Sequence, residues 1–569
     1  TSGAPTMCSS RARFWAALLA LWLVAACTGE PEPLSQALPT PTPRPTPQAT
    51  LSDALAGARF AIYLDKELLA IEELAVQDTE AGLVIRSEVT TPYDVQRRSL
   101  LLSGAETPLR YELEERVGGA RSLWVAERDD GGLTLLADDL NWPLPVVQKD
   151  VAPAATTFIE GRPSALPYAL LAWQQTAPAE TAGQALYLLD LTTPLAVVVP
   201  LTVGSGGATT GELIGAEGYH GSAPAALNPE FDFWVRERTR LLLRVRVANY
   251  QPGHSASLAW PALAGGHTLT IERVSQLPAL SAPDPESQVS GGVRAEQVQF
   301  IDALGNERTA WLQLPDGPGP HPAALLVGPE GLRVPWRGGA ALVAQGWAAL
   351  SYAPRGLAGP EVRYARGEYQ GWGADAVAAA QALGRRSDIS GVVAVGWREG
   401  ALVVAQALAL DEAALAGAVL LDPPVGPIFP AALEWRIEHE LAPALAWNPD
   451  QVLAYRALTL DRGRDWLFDD ADEITSVGRR IDVSYLRTYN DTTLADLLGA
   501  AESPVLLLAD PSGRWTSPDA ATVLAEQLGA LGRGQVQAPA VTGALFAPQS
   551  EELSDQAATL IVSWLQRLP

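Results

Sequence analysis

Residues 388–410 read DISGVVAVGWREGALVVAQALAL. The apolar run Gly391–Val395 is the length of a strand, and its lack of polar alternation predicts that both of its faces are covered. Ala401–Leu410 has the length and the alanine and leucine content of a helix. Between them Gly396 and Gly400 enclose Trp397, Arg398 and Glu399. Glycines at both ends of a five-residue turn let backbone pass close to backbone. The stretch therefore reads as a strand, a sharp turn and a helix.

The same texture extends on both sides. Strands are expected at Val298–Phe300, Thr309–Leu314, Ala323–Val327, Ala348–Tyr352, Gly417–Leu421 and Val505–Leu508. Helices are expected at Gly338–Gln345, Trp372–Leu383, Ala520–Leu531 and Asp555–Arg567. Buried strands alternating with alanine-rich helices predict a doubly wound, mainly parallel sheet covered on both faces. The preceding part, Leu55 to Val274, has a different rhythm. Short alternating segments such as Gly82–Arg86, Arg110–Leu113 and Leu241–Val247 are separated by turn clusters such as Asp129–Gly132. A helical period shows only around Tyr168–Gln174. A mainly antiparallel β domain is expected there. Its opening, with Tyr63 on a strand followed by a charged turn and Glu72, loosely resembles the carrier-type sheets of bacterial lipoproteins.

Several landmarks of the later part fall in order. His321–Gly328 is a strand running into a loop, Gln345–Gly356 reads QGWAALSYAPRG, Asp388–Gly400 leads into the glycine-flanked turn, and Pro504–Leu508 is a late buried strand. Together they resemble the α/β-hydrolase superfamily, in particular its dienelactone-hydrolase and peptidase-like branch, over about residues 298–568. The resemblance implies an α/β-hydrolase-like sheet with a helical cap inserted at about 428–500. It also implies a nucleophile elbow, Gly-x-Ser-x-Gly, at residues 396–400.

The chemistry implied by that resemblance is missing. The elbow is Gly396-Trp397-Arg398-Glu399-Gly400, with Arg398 where the nucleophile belongs, and a guanidinium stays protonated and cannot attack a carbonyl. The acid loop offers Asp510 alone, two residues after its strand. The base is expected near Val541–Phe546, and the chain has no histidine after His439. At the oxyanion loop, Val327-Gly328-Pro329-Glu330 replaces the usual His-Gly, and Pro329 brings no amide donor. No catalytic residue is assigned, and the roles of a triad depend on one another. The expected strand ends bring Glu330, Tyr352, Arg355, Arg398, Glu399, Asp422 and Asp510 toward one crevice. Arg398, with Arg355, is a candidate for holding a carboxylate or phosphate; the alternative is that Arg398 pairs with Glu330 or Asp422 and fills the old site. Tryptophans such as Trp347, Trp372 and Trp397 could grip a sugar or acyl chain, or simply pack the core. His321 is expected in a loop and His439 in the packing of the cap.

Charge and composition narrow the partners. The 569 residues carry 40 Lys+Arg against 65 Asp+Glu, a net charge of -25, which disfavours nucleic acid and anionic lipid surfaces. Hydrophobic residues at 47% rule out wholesale disorder. The two cysteines are Cys8 and Cys27, so no thiol, disulfide or cysteine-held metal serves the folded body, and no cofactor is expected. Arg11 and Arg13 precede an apolar run, Phe14–Ala26, that spans only ~20 Å as helix, short of the ~30 Å hydrocarbon core. Residues 24–27, Val-Ala-Ala-Cys, resemble the bacterial lipobox, which implies a lipidated Cys27 and a start at Met7; the alternative is a plain secretory signal. The proline- and threonine-rich stretch after it favours an extended tether.

The expected organisation is a signal peptide at 1–27, a tether at 28–52, the β domain at 53–274, a linker at 275–296 and the α/β-hydrolase-like domain at 297–569. The expected function is an exported, membrane-anchored lipoprotein whose hydrolase-like domain is a pseudoenzyme that binds or scaffolds. Its partners are the membrane, through the lipid, and a small anionic or apolar ligand. No protein partner is named by the sequence. Two alternatives stand beside it. One is an active ester or peptide hydrolase using Ser351 or Ser512 with Asp422. The other is a carrier of an apolar ligand through the β domain.

Overall fold

A computed structural model describes residues 50–568, apart from 92–94, 104–107, 118–119, 130–131, 139–143, 150–156, 160–163, 176–185, 191–196, 206–212, 214–215, 223–229, 237–238, 251–266, 281–293, 329–337, 353–366, 411–413, 439–441, 443–446, 500, 512–517, 531–535, 540, 542–544 and 546–552. The expected signal peptide, Cys27 and nearly all of the tether lie outside the described residues.

The alternating segments of the first half pair into one sheet of fifteen strands. Helix α1 (Leu51–Leu55) precedes it. The strands are β1 (Arg59–Leu64), β2 (Glu67–Thr79), β3 (Gly82–Thr90), β4 (Val95–Leu102), β5 (Pro108–Val117), β6 (Ala120–Asp129), β7 (Gly132–Asp138) and β8 (Val146–Gln148). They continue with β9 (Thr157–Ile159), β10 (Leu186–Asp190), β11 (Val197–Ser205), β12 (Ala216–Ser222), β13 (Glu230–Arg236), β14 (Leu241–Tyr250) and β15 (His267–Arg273). Their spatial order is 8-7-6-5-4-3-2-1-15-14-13-12-11-10-9. Nearly every neighbour in space is a neighbour in sequence, and the chain closes the middle by pairing β1 with β15, Ile62 opposite Ile271. The helix expected near Tyr168 is α2 (Leu166–Gln175), and all of Leu166–Trp173 is buried.

The second half builds an eight-stranded sheet from β16 (Arg294–Ile301), β17 (Glu307–Leu314), β18 (His321–Val327), β19 (Ala348–Tyr352), β20 (Ile389–Trp397), β21 (Ala418–Leu421), β24 (Val505–Leu508) and β25 (Val536–Gln537). The order is 16-17-19-18-20-21-24-25. The first two strands form an antiparallel hairpin, β17 pairs antiparallel with β19, and every pairing from β19 onward is parallel. Strand side chains alternate between faces, and the two faces feed separate cores. Ala323, Leu325, Ala394, Leu420 and Leu507 join one, whereas Ala324, Leu326, Val393, Val395, Leu421 and Leu508 join the other. Helices α4 (Tyr369–Gly384) and α5 (Glu399–Leu410) contribute to the first core. Helices α3 (Gly338–Val343) and α11 (Asp555–Leu565) contribute to the second. The doubly covered sheet is the architecture that the unbroken apolar strands predicted.

The inserted stretch is largely helical, with α6 (Pro449–Arg456), α7 (Arg462–Phe468), α8 (Tyr485–Asp491) and α9 (Leu494–Leu498). It also holds a hairpin that the helical expectation missed, β22 (Glu473–Ser476) paired with β23 (Arg479–Asp482). The hairpin turn, Val477-Gly478, has φ of 43° and 71°. Both residues at positive φ mark a tight turn whose twist matches the strands.

Residues 49–569 form one compact unit. The hairpin turn joins the two sheets: Arg110 of β5 donates to the Val477 carbonyl at 3.2 Å, and Arg479 of β23 pairs with Glu112 of β5. One of the two apolar cores runs through both halves.

Candidate functional site

The turn after β20 has the geometry of a nucleophile elbow. Arg398 stands at its crest with φ of 52°, a left-handed conformation that non-glycine residues rarely adopt. The flanking glycines are required by close approach. A Cβ at Gly396 would lie 2.7 Å from the Gly400 carbonyl oxygen, and one at Gly400 would lie 2.3 Å from the carbonyl oxygen of Val327. The Arg398 carbonyl accepts from the Ala401 amide at 3.0 Å, starting α5 directly from the turn. The sequence signal was local, because both glycines and the crest lie within five residues, although the Val327 carbonyl that Gly400 passes comes from another strand.

The neighbouring strand ends meet this crest in sequence. The Arg398 amide donates to Leu421 at 2.9 Å, and the Asp422 amide donates to Leu508 at 2.7 Å. Arg398, Asp422 and Asp510 thus end three adjacent strands, β20, β21 and β24. Asp422 is fully buried at 0% exposure and has φ of 46°, so two neighbouring strand ends carry strained backbone. Such strain clusters at functional sites when the surrounding fold holds it in place. Asp510 is 1% exposed and accepts from the Leu545 amide at 3.4 Å. Leu545 lies in the segment where the resemblance expects the base, so a backbone N–H there meets Asp510.

Of the residues expected to share the crevice, Arg398, Glu399, Asp422 and Asp510 are brought to adjacent strand ends. Tyr352 ends β19, two strands from β20, and packs edge-on against Phe300 with ring centroids 5.4 Å apart. Glu330 and Arg355 lie outside the described residues, as do Pro329, His439 and Ser512. The Arg398 guanidinium lies over the Trp397 ring, 4.9 Å from its centroid. Trp347, Trp372 and Trp397 are buried. Ser351, the alternative nucleophile, is buried within β19. His321 begins β18 rather than lying in a loop.

Sequence reasoning missed a link behind the elbow. The Tyr369 hydroxyl, at the start of α4, donates to Glu399 at 2.8 Å. Tyr369 also meets Trp372 edge-on at 6.1 Å. Thirty residues separate Tyr369 from Glu399, so no local pattern could have shown the pair.

The sheet, the covering helices and the elbow turn define an α/β-hydrolase-like half joined to a large antiparallel sheet. No protein-family model and no curated protein matches the sequence. Among solved structures, the chain is similar to Est1E from Butyrivibrio proteoclasticus, solved with ferulic acid bound, at 14% identity, over 48% of this chain and 99% of that one, with a TM-score of 0.34. It is also similar to an esterase from Pyrococcus furiosus at 9% identity, over 51% of this chain and 95% of that one, with a TM-score of 0.34. A third is the esterase domain of a Rhodothermus marinus protein, at 16% identity over 48% and 99%, with a TM-score of 0.28.

Proposed function

We propose that this chain is an exported, lipid-anchored protein whose α/β-hydrolase-like half binds or scaffolds and does not hydrolyse. The observation that carries this reading is Arg398, a non-nucleophilic side chain at the crest of an otherwise intact elbow. Supporting it are the lack of any histidine after His439 and the backbone contact at Asp510 in place of a base. On this reading Arg398 fills the old site at a strand end next to those that carry Asp422 and Asp510. A carboxylate or phosphate held by Arg398 is the other form of the proposal. The carrier alternative is weakened by α2, whose buried residues Leu166–Trp173 occupy room on the sheet that an apolar ligand would need. Cleavage before Cys27 and acylation of that residue are part of the proposal and rest on the sequence of residues 11–27.

The test exposes the full chain to a fluorophosphonate probe and a panel of short-chain esters. Neither labelling nor turnover is expected, and Arg398→Ser is expected to stay silent as well, because a serine without a base is not activated. Labelling of the wild-type chain would overturn the reading, and the modified peptide would name the nucleophile. Radiolabelled palmitate incorporation that survives Cys27→Ser would overturn the anchor.

A further inference from the structure

A cavity of about 430 Å3 lies away from the elbow, where the start of α4 faces α5, α8 and α9. It is bounded on the α5 side by Gln406, two helical turns beyond Arg398, ~12 Å along the axis at 1.5 Å per residue. Its volume falls in the range of small-molecule sites, ~300–1,000 Å3. The lining is unusual in its chemistry. Gln370 and Gln406 contribute primary amides, and Ser484, Thr488 and Thr492 contribute hydroxyls. Tyr369 and Tyr485 contribute aromatic walls, and Leu497 is the aliphatic member. Among the described residues that line it, Glu368 is the single charged group.

Two glycines hold this lining in place. A Cβ at Gly373 of α4 would lie 2.8 Å from Cγ and 3.0 Å from Cβ of Gln406, so the missing side chain leaves a bed on which Gln406 lies. Gly367, at φ of 72°, brings its backbone against Thr488: a Cβ there would stand 3.2 Å from that of Thr488. Tyr369 is tied to Glu399 at 2.8 Å, and Tyr485 meets Tyr489 edge-on at 5.2 Å. The polar groups are therefore presented on packed helices.

We infer that this cavity binds a neutral, polyhydroxylated ligand, a monosaccharide or the end of a short oligosaccharide. Sugar hydroxyls both donate and accept, and amides, hydroxyls and a carboxylate answer both roles. Tyrosine rings offer flat apolar faces to the C–H side of a sugar ring together with a polar edge. Among the described residues of the lining an anion finds no cation, and an apolar ligand would leave the amides of Gln370 and Gln406 and the hydroxyls of Thr488 and Thr492 without water, Ser484 already donating to Asp482 at 2.6 Å. The inference concerns a cavity separate from the elbow and does not depend on whether the elbow is catalytic.

The test titrates the full chain with glucose, galactose, N-acetylglucosamine and their β-linked tetramers, by calorimetry and saturation-transfer NMR. Saturable binding of at least one sugar is expected. A preference for the tetramer points to the end of a chain and one for the monomer to a free sugar. Gln406→Leu and Thr488→Val are each expected to weaken binding about three- to tenfold, the loss of one neutral hydrogen bond. Thr492→Val replaces either variant that fails to fold, and Val523→Ala, exposed on α10 (Pro518–Ala530), is expected to change nothing. Absence of binding by folded protein would overturn the inference. So would binding that folded Gln406→Leu and Thr488→Val leave unchanged. Saturation by tetramethylammonium and by none of the sugars would also overturn it, making the cavity a cation site around Glu368.

Discussion

Both halves of the molecule bury charge, but they bury it in different places. In the antiparallel sheet the charge sits mid-strand. Glu72 of β2 is 0% exposed and accepts from Ser87 of β3, from Ser164 at 2.8 Å and from the Ala165 amide just before α2. Arg98, 2% exposed, faces it electrostatically and donates to Gln96 at 3.0 Å, and Gln96 in turn donates to Glu115 at 3.1 Å. Gln96 and Glu115 are direct cross-strand partners, as are Glu115 and Ser122. The polar groups follow the ladder from strand to strand and end on the approach to α2. In the α/β half, by contrast, Asp422 and Asp510 sit at strand ends beside backbone at positive φ. Charge placed mid-sheet and satisfied across strands holds a helix in register, whereas the charge at the strand ends gathers where Arg398 and Asp422 hold strained backbone.

The largest effect expected from this contrast is at Glu72. Glu72→Ala would strand the Ser164 hydroxyl and the Ala165 amide and leave Arg98 buried without its counter-charge. The expected cost is about 3–5 kcal/mol, read by urea denaturation; a loss below 1 kcal/mol would mean that the ladder is incidental. Acidity sharpens the comparison. Burial pushes the Glu72 carboxyl up, against the opposing pull of Arg98 and the Ala165, Ser87 and Ser164 hydrogen bonds. The folded state therefore keeps its proton longer than the unfolded chain, and wild type should lose stability relative to Glu72→Gln as pH rises through and beyond ~4.3. Asp302 of the β16–β17 hairpin behaves oppositely. Burial raises it, but the Asn306 and Leu304 amides and the Arg308 guanidinium hold it below the ordinary range. Its contribution is present above ~3.9 and is lost as pH falls toward its depressed value, so wild type should lose stability relative to Asp302→Asn in acid. Denaturation of both pairs across pH 3–7 would reveal the opposite slopes.

Next in size is the elbow. Gly400→Ala drives a methyl into the Val327 carbonyl, a backbone group that cannot swing aside, and about 1–3 kcal/mol of overpacking cost is expected in thermal unfolding. Arg398→Gly tests the strain itself. Relief of the left-handed conformation, about 1 kcal/mol, offsets only part of losing the side chain that fills the site, and a net loss of about 1–3 kcal/mol is expected. Unchanged or raised stability would mean that Arg398 does not plug the old site. The smallest effect belongs to the join. Arg479→Ala leaves Glu112 its 3.3 Å contact with Arg110, and a cost of about 0.2–1 kcal/mol is expected for a part-exposed pair. Separate melting of the two sheets in that variant would mean that the join, and not the shared core, couples them.

Most of the α/β half was legible because its signals are local. The apolar runs at Ala348–Tyr352 and Val505–Leu508 coincide with β19 and β24, and the paired glycines announced the elbow. The hairpin β22–β23 was not legible: Glu-Ile-Thr-Ser and Arg-Arg-Ile-Asp are short and polar, and their turn places a β-branched Val477 at positive φ, against its preference. That conformation holds where Arg110 takes the Val477 carbonyl from 367 residues away. Within the site, the identity of Arg398 was plain from sequence. The meeting of Asp510 with Leu545 was not, since nothing in either segment specifies the other.

The sequence alone determined that this chain alternates between two strand rhythms, turns sharply around Gly396 and Gly400, and carries the guanidinium of Arg398 in the middle of that turn. Backbone preference and hydrophobic period act over a few residues, so these features need no fold to be read. Only the tertiary structure decided that Glu72 anchors α2 from 92 residues away, that Tyr369 ties the cavity wall to the elbow, and that Gln370, Gln406 and Thr488 face one space. Those contacts join segments whose distance in sequence carries no information about distance in space, and they form only when the two sheets and their helices have packed.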